Sequence, residues 1–580
     1  MQQLTRSRTS LLAIILLVAM AIFVLRLFQL QILQHDEYVQ RAKASQQRSF
    51  VIPATRGEIY MMDGKTAVPV VLNQTVYTAI ADPQMVESSK HGEIIKSLRD
   101  VAGGELVDGV EEKLSNKKSR YEVLAKNLTR TQAETLKAKN YAGILYQQGS
   151  VRSYSEGQLG AHALGFVNSE GEGQYGVEGG LNDRLKGTDG LLQSVTDVRN
   201  VPLTVGKDNI RVEAKSGENI VLTIDRNIQS FSEEALKRGI EKVGATEGSI
   251  LIMKPDTGQV MAMANYPTYD PAQYSKVQDA SVFMNTVTMV PYEPASVIKT
   301  FLMATALDKG VVNPGSTYTN TDCIQVADRT MCNTVKGLGG VTNMQGIINN
   351  SLNVGTITVA RRLGNGTQIN LPARQTMYEY YHDRFGLGEK TGIEINEAKG
   401  YIYEPDSVEG NEVRYSAMTY GQSLNLTMLQ VTAGFCSVIN GGQYFQPTMI
   451  DGTIDDSGEL APSEHKPLRQ TINEQTSAEM REMLRIARNS VWLGRDDKQG
   501  YNIGGKTGTA ESVIDGQYTQ SETVATYIGY GGTDKPEYVI MVRIAAPGKG
   551  LNLEGGLHAG PVFTEISNWM IDYMKLAPRK

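Results

Sequence analysis

Pro294-Ala295-Ser296-Val297-Ile298-Lys299-Thr300 is the stretch from which the rest of the chain can be read. Proline lacks the N–H that a first helical turn leaves unpaired, so Pro294 can open a helix. Ser296 and Lys299 then stand three residues apart on one face of the same turn. A serine hydroxyl is a poor nucleophile until a neighbour takes its proton, and a lysine that has lost its own proton can do so. Spacing alone does not single this pair out. Ser115 and Lys118, and Ser463 and Lys466, repeat it, and about two matches are expected by chance at ordinary Ser and Lys frequencies.

The flanking sequence separates them. Val221-Leu222-Thr223-Ile224 reads as a strand, with Asp225 as helix cap. Ile228, Phe231, Ala235, Ile240 and Val243 share one helical face. Ile250–Met253 and Val260–Met263 flank Pro255-Asp256-Thr257-Gly258, which predicts a hairpin. A helix-rich middle runs from Ser296 to about residue 440. Strands return at Tyr501–Thr509, Val524–Tyr530 and Tyr538–Ala545, and a helix bearing Val562, Phe563, Ile566, Trp569, Met570 and Tyr573 closes the chain. The pattern predicts an α+β fold: an antiparallel sheet flanked by N- and C-terminal helices, with a helical lobe inserted between its strands. Lys506-Thr507-Gly508-Thr509 falls on a returning strand. There Gly508 admits a ligand backbone, Thr507 and Thr509 offer hydroxyls, and Lys506 suits an anionic substrate end. Ser351-Leu352-Asn353 lies in the inserted lobe, where its serine can relay a proton and its asparagine hold an amide. Lys390-Thr391-Gly392 and Ser423-Leu424-Asn425 repeat two of these triplets, but in loop contexts.

The N-terminus carries a second strong signal. Leu11–Leu25 is continuously apolar, and Leu27, Phe28, Leu30, Ile32 and Leu33 extend the run past Arg26. With Arg26 snorkelling, this reaches the about 20 residues that cross a bilayer. Arg6 and Arg8, with no acid nearby, favour a cytoplasmic N-terminus. Ala19-Met20-Ala21 resembles a signal-peptidase site, yet the apolar run continues beyond it, so the expectation is an uncleaved single-pass anchor. The predicted organisation is a cytoplasmic tail at 1–9, a transmembrane segment at 10–33, a non-catalytic pedestal at 34–215 and a catalytic domain at 216–580, outside the cytoplasmic membrane.

At 580 residues the chain can hold several domains, and a net charge of −6 without basic runs argues against a nucleic-acid partner. Six histidines without metal-site spacing predict no metal, and no cofactor is expected. Cys323 and Cys332 either pair in an exported domain, leaving Cys436 free, or all three stay thiols. The pedestal reads as irregular and mostly β, with strands at Val68–Leu72 and Tyr77–Ile80 and a charged, helical stretch over 105–140. Gly171, Gly173 and Gly176 match a dinucleotide fingerprint, but Glu172 and Glu178 would repel a pyrophosphate, so turns are expected there.

S-x-x-K at Ser296, S-x-N at Ser351 and K-T-G at Lys506 form, in order, the signature set of penicillin-binding proteins and class A β-lactamases. The resemblance extends from the anchor to the last helix. Arg56-Gly57-Glu58-Ile59, His162–Val167, Gly176-Val177-Glu178 and Leu185–Gly190 resemble the dimerisation-type pedestal of a class B penicillin-binding protein. Leu222–Asp225 with Gln229, Phe385–Gly388, Asn440-Gly441-Gly442 and Ala559–Phe563 resemble its transpeptidase domain. The chain departs from the family at Ala295, where glycine is usual, at Met61-Met62 in place of Asp-Arg, and at Ser423 and Met428 in place of Gly and Pro.

The resemblance implies a peptidoglycan D,D-transpeptidase acting in division or elongation. Ser296 would attack the penultimate D-Ala carbonyl of a stem peptide, release the terminal D-Ala and pass the acyl group to an amine of a neighbouring stem. Lys299 would be the base, for which its pKa must fall from ~10.4 to near neutrality, at a cost of about 4 kcal/mol. Backbone N–H groups of Ser296 and Thr509 would form the oxyanion hole, where one donor is worth ~3–4 kcal/mol. Lys506, Thr507 and Thr509 would hold the terminal carboxylate. Ser351 would pass a proton to the departing D-Ala, and Asn353 would orient the donor amide. β-Lactams would acylate Ser296, and a separate membrane glycosyltransferase would be the partner. Two alternatives stand beside it: a carboxypeptidase or β-lactamase of the same fold, deacylated by water, and a catalytically idle scaffold.

Overall fold

The computed structural model describes residues 2–38, 47–195, 210–455, 457–514 and 517–579. It divides into two compact units, Met1–Arg56 with Lys186–Gly217, and Gly57–Leu185 with Glu218–Lys580.

In the first unit, helix Gln2–Phe28 continues into a wider π-helical turn at Gln29–Leu33. Leu11, Leu16, Phe23 and Leu25 stand outward on it, with none of the span's apolar surface buried against other described residues. The unit also holds a small antiparallel sheet of Gln47–Ile52, Gly190–Val195 and Ile210–Val212.

The second unit holds two larger sheets. A seven-stranded sheet places Asn219–Asp225 between Ile59–Asp63, to which it runs parallel, and Ile450–Ile454. The strand expected to lead the catalytic domain is thus hydrogen-bonded into the pedestal sheet. Thr66–Ala81 is one long strand where the sequence suggested two, and it pairs with both Glu122–Leu128 and Ile144–Tyr154. Glu122–Leu128 also corrects the helical reading of 105–140: the helices there are the short Val110–Ser115 and Arg130–Lys137, with this strand between them. The fingerprint-like glycines lie in turns around the two-residue strand Gly173–Gln174 and the short helix Gly176–Gly180. A buried ion pair, Arg152 Nε to Glu178 Oε1 at 2.8 Å, crosses this part of the core.

The second sheet frames the candidate site. Its strands are β1 (Glu247–Met253), β2 (Val260–Tyr266), β3 (Asn502–Ile514), β4 (Gln517–Gly532) and β5 (Pro536–Ala545), antiparallel in the order β2-β1-β5-β4-β3. Alternation along β1 divides the core: Ile250 and Ile252 face one cluster, Leu251 and Met253 the other. Helices α1 (Arg226–Val243) and α6 (Gly560–Tyr573) cover the first face through Leu236, Ile240, Phe563 and Ile566. Asp225 caps α1, accepting from the N–H groups of Asn227 and Ile228, and Gly244 ends it in the left-handed region. The second face is covered by α2 (Lys299–Asp308) and α4 (Met428–Ile439), with α3 (Asn353–Arg362) and α5 (Glu474–Asn489) in the same cluster. Every residue of α4 is buried, and Thr427 with Gln430 closes a capping box at its start. The result is three layers, helix on sheet on helix.

Candidate active site

The segment around Ser296 is built by a strained turn. Pro294 precedes a 3₁₀ turn at Ala295–Ile298, which runs directly into α2. Ala295 has φ +50°, a left-handed conformation that a β-carbon disfavours. The glycine usual at this position in the resembled family would sit there unstrained. Ala295 is held by its own N–H, which donates to the Gly421 carbonyl at 3.2 Å. The approach is tight in return: a Cβ on Gly421 would lie 1.9 Å from the Ala295 oxygen. Gly508 of β3 is equally constrained, since a Cβ there would meet the Pro294 oxygen at 2.7 Å. Lys506-Thr507-Gly508-Thr509 and the serine turn are thereby pressed together, with Ser296 half-exposed between them.

Lys299 lies on the first turn of α2 and is fully buried. Its Nζ donates to the Ser351 carbonyl at 2.6 Å, to Ser351 Oγ at 3.1 Å and to Asn353 Oδ1 at 2.7 Å. Lys506, also buried, donates to Ser351 Oγ at 3.1 Å, to the Thr507 carbonyl at 3.1 Å and to Thr507 Oγ1 at 3.3 Å. The Ser351 hydroxyl thus bridges two lysines at equal distance. Ser351 itself has φ +52° and ends the helix Met344–Asn350. Thr507 is half-buried and Thr509 exposed, its hydroxyl oxygen accepting from the Gly555 N–H at 3.1 Å.

No salt bridge reaches either lysine among the described residues; their partners are neutral oxygens. Burial, and then the neighbouring charge of Lys506, hold Lys299 well below the ordinary lysine range. Burial brings Lys506 down to about 7. A neutral Lys299 has two N–H donors, which serve the Ser351 carbonyl and Asn353 Oδ1, and a lone pair that can accept a hydroxyl proton, while Lys506 retains the capacity to meet an anion. The structure therefore brings Lys299, Ser351, Asn353, Lys506 and Thr507 into one hydrogen-bonded set, with Ser296 one turn before Lys299 and outside that set, and Gly508 against Pro294 and Val297 of the serine turn. Among the described residues no cluster of His, Cys, Asp and Glu is arranged to hold a metal.

The repeated triplets are engaged elsewhere. Glu397 accepts from the Thr391 N–H and hydroxyl and from the Gly392 N–H. The Ser423 N–H donates to Glu293 Oε1 at 2.8 Å, which also accepts from the Tyr518 hydroxyl at 2.7 Å. Glu293, three residues before Ser296, so ties the serine turn to two further segments. Sequence reading passed over it because one acid beside a proline carries no periodic signal. Cys323 and Cys332 face each other across the hairpin Cys323–Val326/Arg329–Cys332 and form a disulfide; Cys436 is free and buried.

Residues 248–568 match the penicillin binding protein transpeptidase domain, and residues 51–222 match the penicillin-binding protein dimerisation domain. The chain belongs to the class B penicillin-binding proteins. Among relatives of this penicillin-binding protein is stage V sporulation protein D of Bacillus subtilis, 27% identical over 96% of this chain and 84% of its own. PenA of Neisseria meningitidis, a probable peptidoglycan D,D-transpeptidase, is 26% identical over 92% of this chain and 87% of its own. PbpB of Mycolicibacterium smegmatis is 30% identical over 73% of this chain and 65% of its own. The fold matches the crystal structure of penicillin-binding protein 2X from Streptococcus thermophilus with TM-score 0.72 at 21% identity, covering 91% of this chain and 80% of that one. This penicillin-binding protein is a serine-type transpeptidase.

Proposed function

We propose that Ser296 is the nucleophile through which this peptidoglycan D,D-transpeptidase of cell-wall synthesis crosslinks stem peptides, and the residue that β-lactams acylate. One observation carries the assignment. Lys299 is buried one turn from Ser296, and among the described residues it has no counter-ion and its polar partners are Ser351 and Asn353. Such a lysine is neutral at the moment of attack and takes the Ser296 proton. The acyl oxygen turns toward the N–H groups of Ser296 and Thr509. Lys506, Thr507 and Thr509 receive the terminal carboxylate, and Asn353 orients the donor amide. Ser351, hydrogen-bonded to both lysines, carries the proton onward to the departing D-Ala nitrogen. An amine of a second stem then gives up a proton to Lys299 and attacks the acyl carbon, the Ser296 ester bond breaks, and the proton passes back to Ser296 Oγ as the crosslink closes.

The outward apolar surface of helix Gln2–Phe28 supports a single-pass anchor at 10–33 in the cytoplasmic membrane, with residues 1–9 cytoplasmic and the rest outside. The division into a pedestal at 34–215 and a transpeptidase domain at 216–580 is supported by the two family matches. The glycan strands this transpeptidase crosslinks are read as the product of a partner enzyme, a separate membrane glycosyltransferase.

Labelling with a fluorescent penicillin tests the assignment. Wild-type protein carries one stable adduct and Ser296→Ala none; equal labelling of both sinks it. Rapid loss of label from the wild type would indicate a hydrolase. Incorporation of an acceptor amine into a D-Ala-D-Ala peptide, with release of D-Ala, separates transfer from scaffolding.

A further inference from the structure

Asn353 begins α3, yet α3 has no cap of its own. The residue at its N-cap position, Leu352, offers no side-chain oxygen, so the first N–H groups need a partner from outside the helix. Asn333, 21 residues earlier and immediately after the disulfide-closed hairpin, supplies it. Its Oδ1 accepts from the Val354 N–H at 2.9 Å, and the side chain is only 3% exposed. The Asn333 amide is fixed from behind: Nδ2 donates to the Thr321 carbonyl at 3.1 Å and to Asn320 Oδ1 at 3.3 Å. Asn320 is held in turn by the Tyr318 hydroxyl at 3.1 Å and by its own donation to the Leu338 carbonyl at 2.7 Å. The residue beside it completes the clamp, because the Cys332 carbonyl accepts from Asn353 Nδ2 at 3.1 Å. With Nδ2 tethered there, Asn353 Oδ1 is aimed at Lys299 Nζ.

We propose that Asn333 is a positioning residue for the transfer reaction, a cap supplied by a distant segment of the same chain that fixes the start of α3 and so the contact between Asn353 and Lys299. The inference rests on the reading of Asn353 and Lys299 given above. It differs from a general structural role in one respect. A residue that merely holds the fold lowers the rate in proportion to the protein lost. A residue acting through Asn353 alters the same step that Asn353 alters, and its effect vanishes once Asn353 is gone.

The test measures the second-order rate of acylation by a fluorescent penicillin across pH, with the melting temperature, on the full chain in detergent. The proteins are wild type, Asn333→Ala, Asn353→Ala and the double variant. Asn333→Ala should be about tenfold slower, the scale of a lost cap bond. Its acid limb should move in the direction seen for Asn353→Ala, and the double variant should be no slower than Asn353→Ala. Asn333→Ser keeps a neutral cap-type oxygen toward the Val354 N–H without setting a charge against the Thr321 carbonyl and Asn320 Oδ1, and should be clearly faster than the alanine variant. It also serves if the alanine variant does not fold. Multiplying effects in the double variant, an unmoved pH profile, or a serine variant as slow as the alanine would each overturn the role of Asn333 while leaving the site assignment intact. Wild-type acylation by Asn353→Ala would instead overturn the site reading, and this inference with it.

Discussion

At the scale of single residues, the site trades stability for reactivity, and Lys506 shows the sign. Its pKa is about 7 in the folded protein against 10.5 for a free lysine, so between these values the unfolded chain binds more protons. Stability contributed by this group therefore rises with pH and is lost as pH falls from above 10 toward 7. Lys506→Met removes the penalty: by denaturant titration it should be more stable than wild type at pH 7 by about 1–3 kcal/mol. The gain should fade toward pH 10.5, while penicillin labelling is lost. An equal or lower midpoint at pH 7 would contradict the burial argument. Ala295 offers a second test. At φ +50° alanine pays a steric cost that glycine does not. Ala295→Gly should raise stability by about 0.5–1 kcal/mol, with acylation within about twofold of wild type. The triplets at Ser296, Ser351 and Lys506 are legible because their chemistry fixes residue types at fixed spacing. The backbone of Ala295 is not, because it is set by Gly421, distant in sequence, whose carbonyl accepts from the Ala295 N–H.

At the scale of elements, local pattern served where an element's partners are near in sequence. Asp225 and Gly244 bracket α1 with cap chemistry written in the chain, and β1 and β2 are joined by their own turn residues. Glu122–Leu128 was hidden because its partner, Thr66–Ala81, lies some fifty residues away, and charged neighbours on both sides suggested helix. The Cys323–Cys332 hairpin is another element whose role is tertiary. Two strands alone are marginal in water, and among the described residues this pair has no third strand, so the disulfide and the packing of Val326, Ile324 and Met331 on the core hold it together. Closing so short a loop stabilises by about 2–3 kcal/mol in the chain-entropy account. The double variant Cys323→Ala/Cys332→Ala should therefore speed hydrogen exchange of the amides from Ile324 to Met331 while the sheet amides of β1 and β5 stay protected. Because the Cys332 carbonyl holds Asn353, penicillin acylation should slow as well. Unchanged exchange in the hairpin would show that packing, not the crosslink, holds it.

For the whole molecule, the order of elements in the chain was readable, but the glue between layers was not. The strand Asn219–Asp225 passes from the pedestal sheet straight into α1, so one continuous segment belongs to both parts of the second unit. Arg488 does similar work on the other side of the transpeptidase sheet. On α5 the sequence presents it as one more surface charge, yet it is 1% exposed. Its Nε and Nη2 donate to the two oxygens of Asp497 at 2.7 and 2.6 Å, Nη1 donates to the Tyr527 hydroxyl at 2.6 Å, and Nη2 also donates to Thr564 Oγ1 at 2.8 Å. One guanidinium thus joins α5, the 497 loop, β4 and α6, the strand and helix that back β3 and its Lys506. The Asp497 charge is what keeps this cation tolerable in the core, since a buried charge without its partner costs about 3–5 kcal/mol. Asp497→Ala should accordingly destabilise by that amount, more than the loss of a solvent-screened surface pair such as Lys90–Glu93. Asp497→Ala/Arg488→Met removes both charges and should recover much of the loss, since a hydrophobic replacement of a buried pair is often neutral. Denaturant midpoints of the three proteins decide it: a double variant as unstable as Asp497→Ala would mean that Arg488 acts through its hydroxyl bonds to Tyr527 and Thr564, not through its charge.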